Sequence, residues 1–167
     1  QTLILAKALV EPVLGEEARV LSTMPGSDLV GMAYEPLYSF TQPDKKAWYV
    51  VSDAYVTLTE GTGIVHIAPA FGEDDARVGR TYDLPFVQLV DERGTFVEST
   101  PWAGVFVKDA DPAIIEDLDH RGLLLQRVPF THSYPFCWRC DTPLLYYARS
   151  TWFIRMTEIR DRLLKNN

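Results

Sequence analysis

The residues best placed to do chemistry fall within positions 61–85, GTGIVHIAPAFGEDDARVGRTYDLP. This stretch holds one imidazole, His66, and an acid cluster that includes the adjacent aspartates Asp74 and Asp75. A carboxylate turned inward is costly unless a cation or several donors meet it. The chemistry therefore depends on which of the two faces the interior. Helical spacing separates them. Asp75 shares a face with Val78, Gly79 and Tyr82, its i+3, i+4 and i+7 neighbours, and that face is apolar. Asp74 shares its face with Arg77, Val78 and Thr81, where Arg77 offers an ion-pair partner. Asp75 is thus the inward carboxylate. Each group also has an ordinary role: both aspartates can simply favour a helix start, and a single histidine in an apolar run can be a satisfied core residue.

The elements positioning these groups follow from the same stretch. Gly61-Thr62-Gly63 makes a turn that lets backbone approach a ligand closely. Residues 64–68 form a short apolar run, predicted as a strand buried on both faces with His66 at its centre. Pro69 and Gly72 break that strand. A helix is predicted over 73–82, with acids in its first turn where the macrodipole favours them. Asp83-Leu84-Pro85 ends it.

A second group is Cys137-x-x-Cys140, the only two cysteines of the chain. Two thiolates at this spacing can turn toward one metal and supply half of a four-ligand zinc site. His132 does not complete it at a standard spacing, and free thiols are the alternative. No Gly-x-Ser-x-Gly elbow or Gly-x-x-x-x-Gly-Lys phosphate loop occurs. Neither cysteine has a histidine at a diagnostic spacing.

Composition bounds the reading. With 167 residues, 47% hydrophobic and 23% charged, the chain suits one globular domain with a real core. No apolar run approaches the ~20 residues of a membrane span, so no membrane partner is expected. Two cysteines argue against a disulfide framework and fit a reducing, cytoplasmic setting. A net charge of −7 disfavours a free-standing nucleic-acid binder.

The motif GTGIVHIAPAFGEDD resembles the signature of the editing domain inserted in isoleucyl-tRNA synthetases. The later HSYPFCWRCDTPL, followed by STWFI, resembles the same family's exit from that insertion. His66 separates the isoleucyl pattern from the valyl and leucyl sister domains, which share the Gly-Thr-Gly start and the final aspartate. The resemblance implies part of an aminoacyl-tRNA ligase, residues 1–149 being editing domain and 150–167 an exit segment with a C-terminal helix. It implies hydrolysis of valine misattached to the isoleucine tRNA, and of valyl-adenylate. One missing methylene is worth only ~1–3 kcal/mol in an apolar pocket, a limit for which isoleucine against valine in this family is the standing example. Asp75 would hold the α-ammonium. His66 would exclude isoleucine and contact the terminal ribose. Gly61, Thr62 and Gly63 would lie near the adenosine, with Phe71 beside them in the pocket.

Water beside the ester, helped by a ribose hydroxyl, would do the chemistry. No catalytic side chain is assigned. Editing needs no cofactor, and ATP and magnesium belong to the synthetic site of the parent, whose signatures this chain lacks. The implied partners are the valine-bearing 3′ end of the tRNA and the remainder of the synthetase. The family's threonine-rich peptide is expected upstream of the region matching Gln1, which leaves the isolated chain weak or inactive. A valyl-type editing domain, or a non-catalytic RNA- or protein-binding module on the cysteine knuckle, are the alternatives.

Along the chain, strands are expected over 2–6, 19–24, 29–34, 47–52, 55–59, 86–90, 95–98, 123–129 and 144–148. A turn at 25–28 is expected to join the 19–24 and 29–34 strands, and another at 91–94 to join 86–90 to 95–98. Helices are expected over 7–14, 111–121 and 154–164, and the knuckle over 132–142. Tyr38 and Phe40 are expected to pack down a loop over 35–46, and Thr100-Pro101-Trp102 to be a surface loop. The fold class is then mixed α/β and strand-rich, a twisted sheet or partial β-barrel with flanking helices, as in the editing family. Lost early strands would leave a sheet edge open to self-association.

Overall fold

Four α-helices set the frame: α1 (Val10–Leu14), α2 (Glu73–Thr81), α3 (Asp111–His120) and α4 (Met156–Asn166). The structure, a computed structural model, describes residues 1–129 and 131–166. All four lie where periodicity and breakers predict them. A 3-10 turn, Lys7–Leu9, leads into α1, and Gly15 ends that helix at φ 79°, a left-handed conformation that glycine adopts without a Cβ clash. α2 begins after Gly72 with Glu73, Asp74 and Asp75 in its first turn. It ends in a Schellman closure: Leu84 N–H donates to Gly79 O at 2.8 Å while Asp83 takes φ 51°. In α3, Pro112 occupies the first turn, where a missing N–H costs nothing.

The strand-rich fold class does not stand. Among the described residues no strand ladder forms, and pairing is confined to four isolated bridges: Ala33 with Tyr49, Val90 with Phe96, Thr95 with Phe106, and Phe136 with Pro143. The apolar runs were read as strands because they demand burial, but a strand also needs a neighbour that takes its N–H and C=O groups along its length. Here those neighbours are lacking. Ile64, Val65, Leu123, Leu125 and Val128 are all exposed, so neither 64–68 nor 123–129 is a buried strand. Residues 2–6 offer a single backbone bond to the glycine turn, Ala6 N–H to Thr62 O at 2.8 Å. With no ladder, self-association through an open sheet edge loses its premise.

Local pairing also differs in detail. Residues 19–24 and 29–34 do not form a hairpin, because Gly26–Leu29 winds into a 3-10 turn. Gly31, Met32 and Tyr34 pair instead with Trp48 and Val50, through three backbone bonds of 2.8–2.9 Å. Trp48 at φ 56° interrupts the 47–52 segment and prevents the pairing from propagating. The turn at Asp91–Gly94 does form. Asp91 Oδ1 accepts from the N–H groups of Arg93 and Thr95, both at 2.9 Å, and Val97 N–H reaches Leu89 O at 3.0 Å.

The core is small. Leu9, Ala70, Val78, Val90 and Ala110 are its buried apolar residues. Beside it, Trp102 meets Tyr38, Phe40 and Phe96 with ring centroids 5.4–5.8 Å apart. Tyr38 Oη donates to Asp117 at 2.9 Å, which joins this cluster to α3. Thr100-Pro101-Trp102 is a turn with Pro101 exposed, but two of its side chains pack inward: Thr100 is buried with its hydroxyl on Val97 O, and Trp102 is a packing residue. The total exposed area is 13,689 Å², against roughly 8,300 Å² for a compact monomer of this mass. The excess includes Trp152, fully exposed, and its neighbours Phe153 and Ile154. Among the described residues no helix is long and apolar enough to cross a membrane.

Candidate functional site

The site is built where the His66 segment turns into α2. Ala70 is buried and Phe71 N–H closes the turn on Ala68 O at 2.9 Å. Gly79, in the last turns of α2, faces the same bend. A Cβ there would stand 2.9 Å from Pro69 Cβ, so the helix lies against the proline ring only because position 79 has no side chain. Gly72 is required for a related reason: a Cβ would come within 2.7 Å of Asp75 Oδ2.

The absence of a side chain at position 72 leaves room for Asp75 to lie back over the turn. Its Oδ2 accepts from Ala68 N–H at 3.3 Å, and the residue is half-buried. Asp74 is exposed and pairs with Arg77 at 3.1 Å, as the two helical faces predict. Arg77 also makes a bidentate pair with Asp53, at 2.7 and 2.8 Å. This guanidinium, with a smaller contribution from the Tyr55 backbone N–H, holds the Asp53 carboxyl down to about 2 against the opposing effect of burial. Among the described residues Asp75 receives no such cation. It has one backbone donor and, nearby, the Tyr55 hydroxyl.

His66 is exposed, not enclosed in a strand, and sits two residues before Ala68. Phe71 is half-buried, edge-on to Tyr147 at 6.1 Å. Tyr147 Oη reaches Val90 O at 3.3 Å, and Ala148 N–H donates to Ala70 O at 3.0 Å, so residues 147–148 buttress the turn from the far side. A shallow cleft of about 420 Å³ lies there, lined by Phe86, Gln88, Glu92, Tyr147, Ala148, Arg149 and Ser150. Neither His66 nor Asp75 lines it. The chemistry follows the carboxylate and not the volume.

Gly61-Thr62-Gly63 forms its turn, with Gly61 at φ 70° and Gly63 at φ 74°. Thr62 Oγ1 bonds both the O and the N–H of Ile64, at 3.0 and 3.3 Å. The two glycines have different surroundings. Nothing lies within 4 Å of a Cβ built on Gly61, whereas one on Gly63 would meet Ala6 Cβ at 2.5 Å. The close approach at Gly63 is by the chain's own first residues.

Cys137 and Cys140 share one tight turn. Asp141 N–H closes on Cys137 O at 2.8 Å, Cys137 N–H on Thr142 O at 2.9 Å, and Asp141 takes φ 57°. Thr142 Oγ1 stands 2.8 Å from Cys140 Sγ. Hydrogen bonding from Thr142 and then Cys137 lowers the Cys140 thiol. His132 bonds Ser133 O through Nδ1 and packs edge-on against Tyr134. Among the described residues no three metal-ligating side chains gather. The two thiols lie on one turn, and no closed four-ligand set is completed among the described residues.

Sequence reasoning missed two participants. Tyr55 was read only as part of a strand over 55–59, and the Asp53–Arg77 pair was not anticipated. Both bring 53–55 against α2 from a distant part of the chain. Spacing along one element carries no signal of that contact.

No protein-family profile matches the chain. Curated relatives do. It is 60% identical to the isoleucine–tRNA ligase of Clostridium novyi and 58% to that of Clostridium acetobutylicum, each over 99% of the chain. It is 46% identical to the enzyme of Methanothermobacter marburgensis over 98% of the chain. In each case it spans 16% of the relative's length. By sequence, the chain is similar to one segment of the isoleucine–tRNA ligases.

Proposed function

We propose that this chain is the editing part of an isoleucine–tRNA ligase, hydrolysing the ester of valine misattached to the isoleucine tRNA. The observation that carries the reading is the placement of Asp75. It is a half-buried carboxylate with one backbone donor and no cation of its own, at the end of the segment that presents His66. Such a group gains from an incoming ammonium. A primary α-ammonium is the charge that an aminoacyl ester carries, and the exposed imidazole of His66 is assigned the contact with the side chain or ribose beyond it. Isoleucine is refused by size and valine accepted. Water supplies the nucleophile, and the protein's contribution is to hold the ester in one orientation. The ligase activity, ATP and magnesium belong to the whole enzyme, with the tRNA and the rest of that enzyme as partners. The two thiols of the knuckle are offered as half of a structural zinc site.

The test is deacylation of valyl- and isoleucyl-tRNA by a whole ligase carrying this segment, with and without Asp75→Ala. Loss of valine ester faster than isoleucine ester, abolished by the substitution, supports the reading. Equal rates for both esters, or a rate unchanged by the substitution, would refute it.

A further inference from the structure

One side chain beside the site has a buried donor without a well-formed bond. Tyr55 Oη is buried and makes no fully formed hydrogen bond among the described residues, although Asp75 stands within its reach. A buried hydroxyl left unsatisfied costs about 1–3 kcal/mol, and Tyr55 is held there by its surroundings. Its backbone N–H is fixed on Asp53 Oδ1 at 3.2 Å, and Asp53 is clamped in turn by Arg77 of α2. Burial first, then the charges of Asp75, Asp53 and Asp74, and last a hydrogen bond to Asp75, raise its pKa. It stays protonated and remains a donor. Asp53 and Asp74 already have Arg77. Asp75 has one donor, from Ala68.

We propose that Tyr55 is a positioning residue for Asp75, its hydroxyl closing onto the carboxylate and fixing its orientation when Asp75 takes up the substrate ammonium. The inference rests on the editing reading of Asp75. A carboxylate anchored by Ala68 N–H alone can rotate about its side-chain torsions, and a second donor removes that freedom. An ammonium on the carboxylate offers it only N–H donors, so the remaining acceptor sites on Asp75 stay open to Tyr55. The three acids around the hydroxyl disfavour an anionic ligand here.

The test is titration of the 167-residue chain with a non-hydrolysable valyl-adenosine amide and with its counterpart lacking the amino group. Wild type, Tyr55→Phe, Asp75→Asn and the double variant are compared. Phenylalanine keeps the ring packing and removes only the hydroxyl. Tyr55→Phe is expected to weaken the valyl compound about tenfold, the value of a hydrogen bond to a charged group, and to leave the desamino compound unchanged. In the Asp75→Asn background the same substitution should do nothing further. Equal weakening of both compounds, or an effect of Tyr55→Phe that persists without the Asp75 charge, overturns the positioning role. If Asp75→Asn weakens the valyl compound and Tyr55→Phe does not, this proposal alone fails. If wild type does not prefer the valyl over the desamino compound, the editing reading fails and takes the proposal with it.

Discussion

Asp75 Oδ2 accepts the Ala68 N–H at 3.3 Å, and this bond fastens the first turn of α2 to the segment carrying His66. The carboxylate thus has a structural duty as well as a chemical one. Asp75→Ala removes the acceptor and a first-turn acid that favours the helix dipole. Together these are worth about 1–2 kcal/mol. Urea unfolding should show that loss, with Asp75→Asn retaining part of it through the amide oxygen. Equal stability of all three proteins would mean that the bond contributes nothing, and binding losses in the variants would then be read without a folding correction.

The glycine turn separates two kinds of requirement. Gly61→Ala meets open space and faces only the strain of a positive φ, about 1 kcal/mol. Gly63→Ala faces that strain and also a Cβ 2.5 Å from Ala6 Cβ. Position 63 is therefore expected to cost about 2–3 kcal/mol and to loosen residues 1–9 from the turn. Trypsin cleavage after Lys7 reads this directly. It should accelerate in Gly63→Ala and stay near the wild-type rate in Gly61→Ala.

How far the sequence disclosed this arrangement depends on the range of the interaction concerned. The helices were legible because their signals are local: Pro112 in a first turn, Gly15 past an end, acids at the start of α2. The inward turn of Asp75 was legible for the same reason, being one helix's own geometry. Strands were over-read. An apolar run such as 64–68 states a need for cover, and whether a neighbour satisfies its backbone is settled elsewhere in the chain. Tyr55, half-buried with its hydroxyl near carboxylates of α2 and Asp53, and Gly63, closely approached by Ala6, are products of such distant contacts.

The two thiols should differ in reactivity. Cys140 is exposed and lowered by the Thr142 hydroxyl, whereas Cys137 is half-buried. Because the thiolate is the nucleophile, iodoacetamide near pH 8 should label Cys140 several-fold faster, as mass spectrometry of the labelled peptide would report. Thr142→Val removes the donor and should slow Cys140 while leaving Cys137 as it was. Equal labelling of the two thiols would contradict this account of the turn.

The Asp53–Arg77 pair makes a prediction about acid. Asp53 is depressed to about 2 in the folded protein, chiefly by the guanidinium, while the unfolded chain returns it to its ordinary ~4. A carboxyl lowered by folding contributes stability that is complete above the unfolded pKa. The contribution drains away as pH falls toward the folded one. The window is therefore between about pH 4 and pH 2. Within it, the contact between 53–55 and α2 should weaken. Carbon-detected titration of the Asp53 carboxyl, with backbone amide shifts of α2 followed in parallel, measures both. Arg77→Met should restore Asp53 to the ordinary carboxyl range and remove the acid-dependent part of the stability between those two pH values. Should Asp53 titrate near 4 with Arg77 intact, the clamp that seats Tyr55 beside Asp75 would not exist in solution, and the positioning argument would lose its frame.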